Sequence, residues 1–210
     1  DIARHAAGVP DAPPLEESLQ QAAVLISANC TDPSVLHSIA YAGNQMGAAE
    51  MALEYGKRAV EGYRDSEYPA ARKMLAPLLV AGILQDRESA EFAKWHDEAV
   101  TWSVEAATEV SVEGQERRIL YERIKYLLDD RFVDRRVATM DAFNADEAVD
   151  PWIHHTLNGW YEVQLAGEAR GTGWASDVSE TGWEQMKRHC DSAREHLAQA
   201  YEIAPQYPEA

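Results

Sequence analysis

The sequence predicts an all-α fold of stacked antiparallel helical hairpins, about eight or nine helices long. Three observations carry that expectation. Near the end of the chain, Trp183, Met186, Cys190, Ala193, Leu197, Ala200 and Ala204 advance by threes and fours, which draws one apolar stripe along a helix that must pack against another. The spacing of Ala193, Leu197 and Ala200 already occurs once before, in Ala52, Gly56 and Ala59. An Asp-Pro pair also occurs twice, at Asp32-Pro33 and Asp150-Pro151. There the aspartate can cap a helix and the proline can take its first position, where no N–H is needed.

Taken in order, residues 1–14 carry Pro10, Pro13 and Pro14 and read as an arm or linker, and 15–210 read as one helical-repeat domain. Leu15, Leu19, Ala22, Ala23 and Ile26 keep helical spacing up to Asn29. After Asp32-Pro33 a second helix carries Val35, Leu36, Ile39 and Ala40 toward Gly43 and Gly47, and a third carries Met51, Ala52, Tyr55, Ala59 and Val60. Pro69 to Ile83 is apolar, with a kink expected at Pro77. Asp86 or Ser89 can cap a helix whose stripe is Phe92, Trp95, Ala99, Trp102 and Ala106. Leu120, Ile124, Leu127 and Phe132, then Val137 and Met140, make one broken or two shorter helices. The helix opened by Asp150-Pro151 runs toward Gly171, and Thr181 with Glu184 reads as a capping box for the last helix. Pro33 to Ala52 spans 19 positions and Pro151 to Ala193 spans 42, so the second copy holds about 23 extra residues, expected between its two helices. Ala210 arrives where a following repeat would start, so the chain reads as a piece of a longer protein.

With 210 residues and 46% hydrophobic content, the chain can bury a sizeable core. Nineteen basic against 36 acidic residues leave a net charge of −17, a field that repels phosphate backbones and anionic headgroups, so nucleic acid and membrane surfaces are not expected partners. The one basic stretch, Gln115 to Val137, carries seven arginines and lysines against five carboxylates. It reads as a solvated helix face laced with opposite charges, or as an intramolecular or subunit dock. No apolar run reaches the about 18 residues that a membrane helix needs, so no membrane insertion is expected. Cys30 and Cys190 are too far apart for a disulfide framework or a CxxC site, and Cys190 is expected to be buried on the stripe. A cytoplasmic location is expected, although a start at Asp1 without a methionine leaves room for a removed leader.

Residues 150–210 resemble a family of uncharacterised bacterial proteins, the DUF4034-type or tetratricopeptide-like group. The resemblance rests on Asp150-Pro151-Trp152, Gly159, the loop Ala169-Arg170-Gly171-Thr172-Gly173-Trp174-Ala175, Val178, Gly182-Trp183, and Ala193 through Leu197, Ala200, Pro205 and Pro208. Residues 33–60 resemble a degenerate tetratricopeptide repeat, with Gly43 and Gly56 where the motif carries aromatics. The resemblance implies a tetratricopeptide-like α-solenoid scaffold and assigns it no activity.

The most particular cluster is Arg170, Gly171, Gly173 and Trp174, the candidate binding loop. Its glycines allow tight folding, Arg170 offers up to five donors and Trp174 a flat apolar face. In the structural alternative, Arg170 ties down carbonyls at a helix end or pairs with Asp177, while Trp174 plugs the hairpin. A buried Trp174 would then cost about 3–5 kcal/mol on replacement by alanine. A lone Gly-x-Gly without a preceding strand is no phosphate cradle. His154 and His155 point about 100° apart on a helix, and His189 and His196 lie about 10 Å apart along one, so no metal site is expected from either pair. No catalytic residue and no cofactor are assigned, because HExxH, GxSxG and Walker patterns are all missing.

These readings converge on a non-enzymatic scaffold that binds a partner protein or a second copy of itself. A small-molecule or carbohydrate enzyme sited at Arg170–Trp174, with Trp152, Trp160, Trp174 and Trp183 as platforms, is one alternative. A structural subunit of a larger assembly is the other.

Overall fold

The computed structural model describes residues 24–25, 29–84, 88–109 and 115–207. Their regular structure is entirely helical, with no strand. The expected helix from Leu15 to Asn29 and the arm at 1–14 lie largely outside these residues. The chain divides into two compact units, Asp1–Ala106 and Ala107–Ala210, where sequence pattern alone suggests one domain over 15–210.

In the first unit, Asp32 caps α1 (Pro33–Gln45), its Oδ1 accepting from the backbone N–H groups of Ser34 at 2.9 Å and Val35 at 3.1 Å. Gly47, at φ 76°, turns the chain left-handed into α2 (Ala49–Arg64). A Cβ on Gly56 would stand 2.7 Å from Val80 and 3.8 Å from Ala40. Glycine therefore suits this position because α2 is approached closely there from two sides. The kink expected at Pro77 takes another form: a helical turn, Ala70–Lys73, breaks at Met74 before α3 (Leu75–Ile83) begins. Pro77 has no N–H to offer the Lys73 carbonyl four residues back, so the interruption falls upstream of the ring. Of the two expected caps, Ser89 caps α4 (Ala90–Glu109) by accepting from the Phe92 N–H at 3.1 Å, and Asp86 lies outside the described residues. The stripe Phe92, Trp95, Ala99, Trp102 and Ala106 is buried as expected.

The second unit opens with α5 (Gln115–Lys125), then 3₁₀ turns Tyr126–Leu128 and Asp130–Arg135, then α6 (Arg136–Ala145). Its basic stretch is laced with opposite charges, yet two arginines are docked and not solvated. Arg136, 4% exposed, pairs with Asp130 and with Glu168, and Arg117 reaches Asp150 at 2.9 Å. The unit is completed by a long hairpin of α7 (Pro151–Arg170) and α8 (Glu180–Ile203), joined through a 3₁₀ turn, Ala175–Asp177. Asp150 Oδ1 caps α7 by accepting from Ile153 N–H at 3.0 Å, so both Asp-Pro corners open helices by one mechanism.

The extra residues of this second hairpin are only partly in its loop. α1 has 13 residues and α7 has 20, the connection grows from 46–48 to 171–179, and Ala52 is the fourth residue of α2 whereas Ala193 is the fourteenth of α8. Most of the insertion has lengthened the helices themselves. The cap of α8 also differs from the expected Thr181: Ser179 Oγ accepts from Gly182 N–H at 3.0 Å, and the helix starts two residues earlier. The apolar stripe of α8 faces α7, but only Ala193 and Ala200 on it are buried within the helix, and Cys190, expected to be buried, is half-buried. A Cβ on Gly182 would stand 2.9 Å from the Ala169 carbonyl oxygen and 3.1 Å from Val178. Backbone cannot yield as a side chain can, so Gly182→Ala is expected to destabilise the unit by about 1–3 kcal/mol despite alanine's better helix propensity, measured by chemical denaturation. No helix among the described residues is long and apolar enough to cross a membrane.

Candidate functional site

The candidate loop begins where α7 ends. Gly171, at φ 70° and ψ −176°, stops the helix, its N–H bonding back to the Gly167 and Glu168 carbonyls. Arg170 donates to the carbonyl of Gly171, the residue that follows it past the end of α7, at 3.2 Å and in an exposed position. Asp177 does not serve as its partner: it accepts from the Trp174 N–H at 3.1 Å and the Ser176 hydroxyl at 3.2 Å, closing the 3₁₀ turn on itself. A Cβ on Gly173 would stand 3.3 Å from the Asp177 side chain, so the second glycine is needed for the tightness of that turn.

Trp174 does not plug the hairpin. It is 83% exposed, and Gly171 to Asp177 are all exposed around it. The self-contained turn turns the indole outward, since Asp177 holds its backbone and nothing packs over its ring. Trp152 by contrast is fully buried, and Trp183 is 41% exposed. The tryptophans close in sequence therefore do not form one platform, and the loop offers a sugar no enclosed pocket.

Along the hairpin the structure brings together residues that neither helix reveals alone. His155 Nδ1 and His196 Nδ1 stand 3.2 Å apart, and Glu162 accepts from His189 Nδ1 at 2.6 Å. Seven residues further along α7, Ala169 lies against Gly182. Each step of seven along α7 is matched by a step of seven back along α8, the register of an antiparallel coiled-coil seam. Between these rungs a Cβ on Gly159 would stand 2.6 Å from Leu197 and 3.4 Å from the Ala193 carbonyl, so glycine permits a close approach of the helices there. His154 joins the group from the side, its ring centroid 5.1 Å from that of His155 and 6.5 Å from that of His196. Burial first, and the charges of neighbouring rings second, hold His154 and His155 below the usual histidine range. In the contact between His155 and His196, one ring nitrogen donates and the other accepts, with the roles set by the tautomers. The sequence carried a signal for these pairs in the sevenfold spacings 155, 162, 169 and 182, 189, 196, but it is readable only once the register between the helices is known. Among the described residues no group of three or more His, Cys, Asp or Glu side chains converges on a metal position.

Comparison of the chain with protein-family models, with curated proteins and with solved structures finds no match.

Proposed function

We propose that this chain is a non-enzymatic interaction scaffold of tetratricopeptide-like hairpins, and that it binds a basic or amphipathic segment of a partner protein. The observation that carries this reading is the tip of the α7–α8 hairpin, where Trp174 is 83% exposed and Trp183 41%. A large aromatic held outward by a braced turn is the residue type that anchors protein interfaces, and on an isolated surface it gains nothing for the fold. The net charge of −17 favours a basic partner by steering and by rim contacts. Cys30 and Cys190 are both free, as suits a reducing compartment, and we place the protein in the cytoplasm on that ground.

The test is affinity purification of the native protein with mass spectrometry, beside the Trp174→Ala variant, followed by direct binding of the recovered partner. Because the indole is exposed, this variant is expected to keep its melting behaviour to within about 0.5 kcal/mol. A stoichiometric partner that binds the wild type and is lost in the variant supports the scaffold. Recovery of the protein alone, with sedimentation that does not change with concentration, overturns it. Association that rises with concentration and fails in the variant would identify a second copy as the partner.

A further inference from the structure

We infer that the His155–His196 contact is an acid-operated latch, which closes the base of the α7–α8 hairpin near neutral pH and opens it when both rings are protonated. The inference stands apart from the proposed scaffold and concerns the end of the hairpin away from Trp174. Its basis is the 3.2 Å between the two Nδ1 atoms, which meet across the seam of the two helices. One donates and the other accepts, so the bond lasts while at least one Nδ1 keeps its lone pair. A single added proton leaves that bond in place, now charge-assisted. A second gives each Nδ1 a hydrogen, and two donors then meet with no acceptor, on two cations whose ring centroids lie 5.5 Å apart. His154, with its centroid 5.1 Å from that of His155, brings a third imidazole to the same half-buried place.

Among the described residues, the charges around the three rings are engaged elsewhere or exposed. On α7, Asp150 is committed to the Ile153 N–H and to Arg117 of α5, and Glu162 to His189. On α8, Asp191 bridges Lys187 and Arg194, while Glu195 and Glu202 are exposed. α6 meets this part of α7 through a neutral pair, Asn144 with Asn158 at 2.9 Å; its Asp141 acts on Tyr161 further along, and Asp146 accepts from the Ala148 N–H. Burial and the neighbouring rings, with no carboxylate, hold His154 and His155 below the usual histidine range. These rings therefore take up protons later in the folded hairpin than in the unfolded chain. The stability they contribute uncharged is complete above about pH 6.5 and is lost as the pH falls below it. One heptad along the seam the Glu162–His189 rung responds in the opposite sense, because a protonated His189 meets a carboxylate at 2.6 Å. Acid thus loosens the base and leaves the middle of the hairpin joined. The base is also where Tyr207, in the segment after α8, covers Trp152 with centroids 5.1 Å apart, so release of His196 frees the end of α8 to lift from that core.

The test is amide hydrogen exchange of the whole chain at about pH 7.5 and about pH 5.5, corrected for the intrinsic pH dependence of exchange and read segment by segment. In the wild type, protection at the base, over 152–158 and 194–203, is expected to fall more than about tenfold at the lower pH, the effect of about one pKa unit on one ring, while 162–169 and 182–189 keep theirs. His196→Gln replaces the ring with an amide whose oxygen can accept from His155 at either pH, so the base should then change less than about twofold. His196→Glu gives His155 the kind of partner that His189 already has, and should reverse the sign, with the base better protected at the lower pH. NMR titration of the wild-type imidazoles, which needs no variant, should show His155 and His196 titrating in two coupled steps and His189 apart from them. Protection at the base that ignores pH, a loss spread evenly over both rungs, a loss that persists in His196→Gln and His196→Glu alike, or rings that titrate independently would overturn the latch.

Discussion

Trp152→Ala is expected to destabilise the second unit by about 3–5 kcal/mol, the range for deleting a fully buried aromatic whose neighbours cannot close the cavity. No surface of Trp152 reaches solvent. Its ring meets Tyr121 edge-on at 5.5 Å and Tyr207 at 5.1 Å, so one side chain joins α5, the start of α7 and the segment that follows α8. Ile153 and Leu157, also fully buried, line the same end of α7. Denaturant unfolding followed by circular dichroism measures the loss as a lower midpoint. The contrast with Trp174→Ala is the sharper test, since the same substitution is expected to do almost nothing there. Equal shifts at the two positions would contradict the burial that separates them.

The second large effect is expected at Asp150. Asp150→Ala should cost about 2–4 kcal/mol, more than the about 0.5–2 kcal/mol of an ordinary helix cap. Asp150 is only 7% exposed, and besides capping α7 its Oδ2 accepts from Arg117 at 2.9 Å. Its removal leaves the cap open and Arg117, 18% exposed, without its counter-charge. Asp150→Asn separates the two effects, because it keeps a capping oxygen and discards the charge. At Asp32, by comparison, the carboxylate caps α1 and accepts from the Tyr68 hydroxyl at 2.9 Å, with no arginine to strand. Asp32→Ala is therefore expected to cost less than Asp150→Ala by the same denaturation assay.

Local chemistry explains what was legible before any coordinates. Asp32 and Asp150 cap the helices they precede, Gly171 ends α7, and the stripe from Phe92 to Ala106 is buried, because each depends on neighbours within one or two helical turns. The candidate site was legible only in part. Gly171 ends the helix as its position suggested, but Arg170 bonds only onward to the Gly171 carbonyl, and the outward turn of Trp174 follows from Asp177 closing a turn on itself, which spacing does not encode. The cap at Ser179 displaced the one expected at Thr181 because Gly182 lets the α8 backbone approach Ala169.

By itself the sequence determined that this protein is helical, where most of its helices start and stop, and which faces are apolar, since periodicity and capping act over a few residues. Tertiary structure alone decided that Arg117 and Arg136 dock and that His155 meets His196 across 41 residues. The physical reason is that helix periodicity states which face is buried but not the register in which two faces meet. Here that register is chosen by the few places, Gly159 and Gly182, where one backbone can come close to another helix.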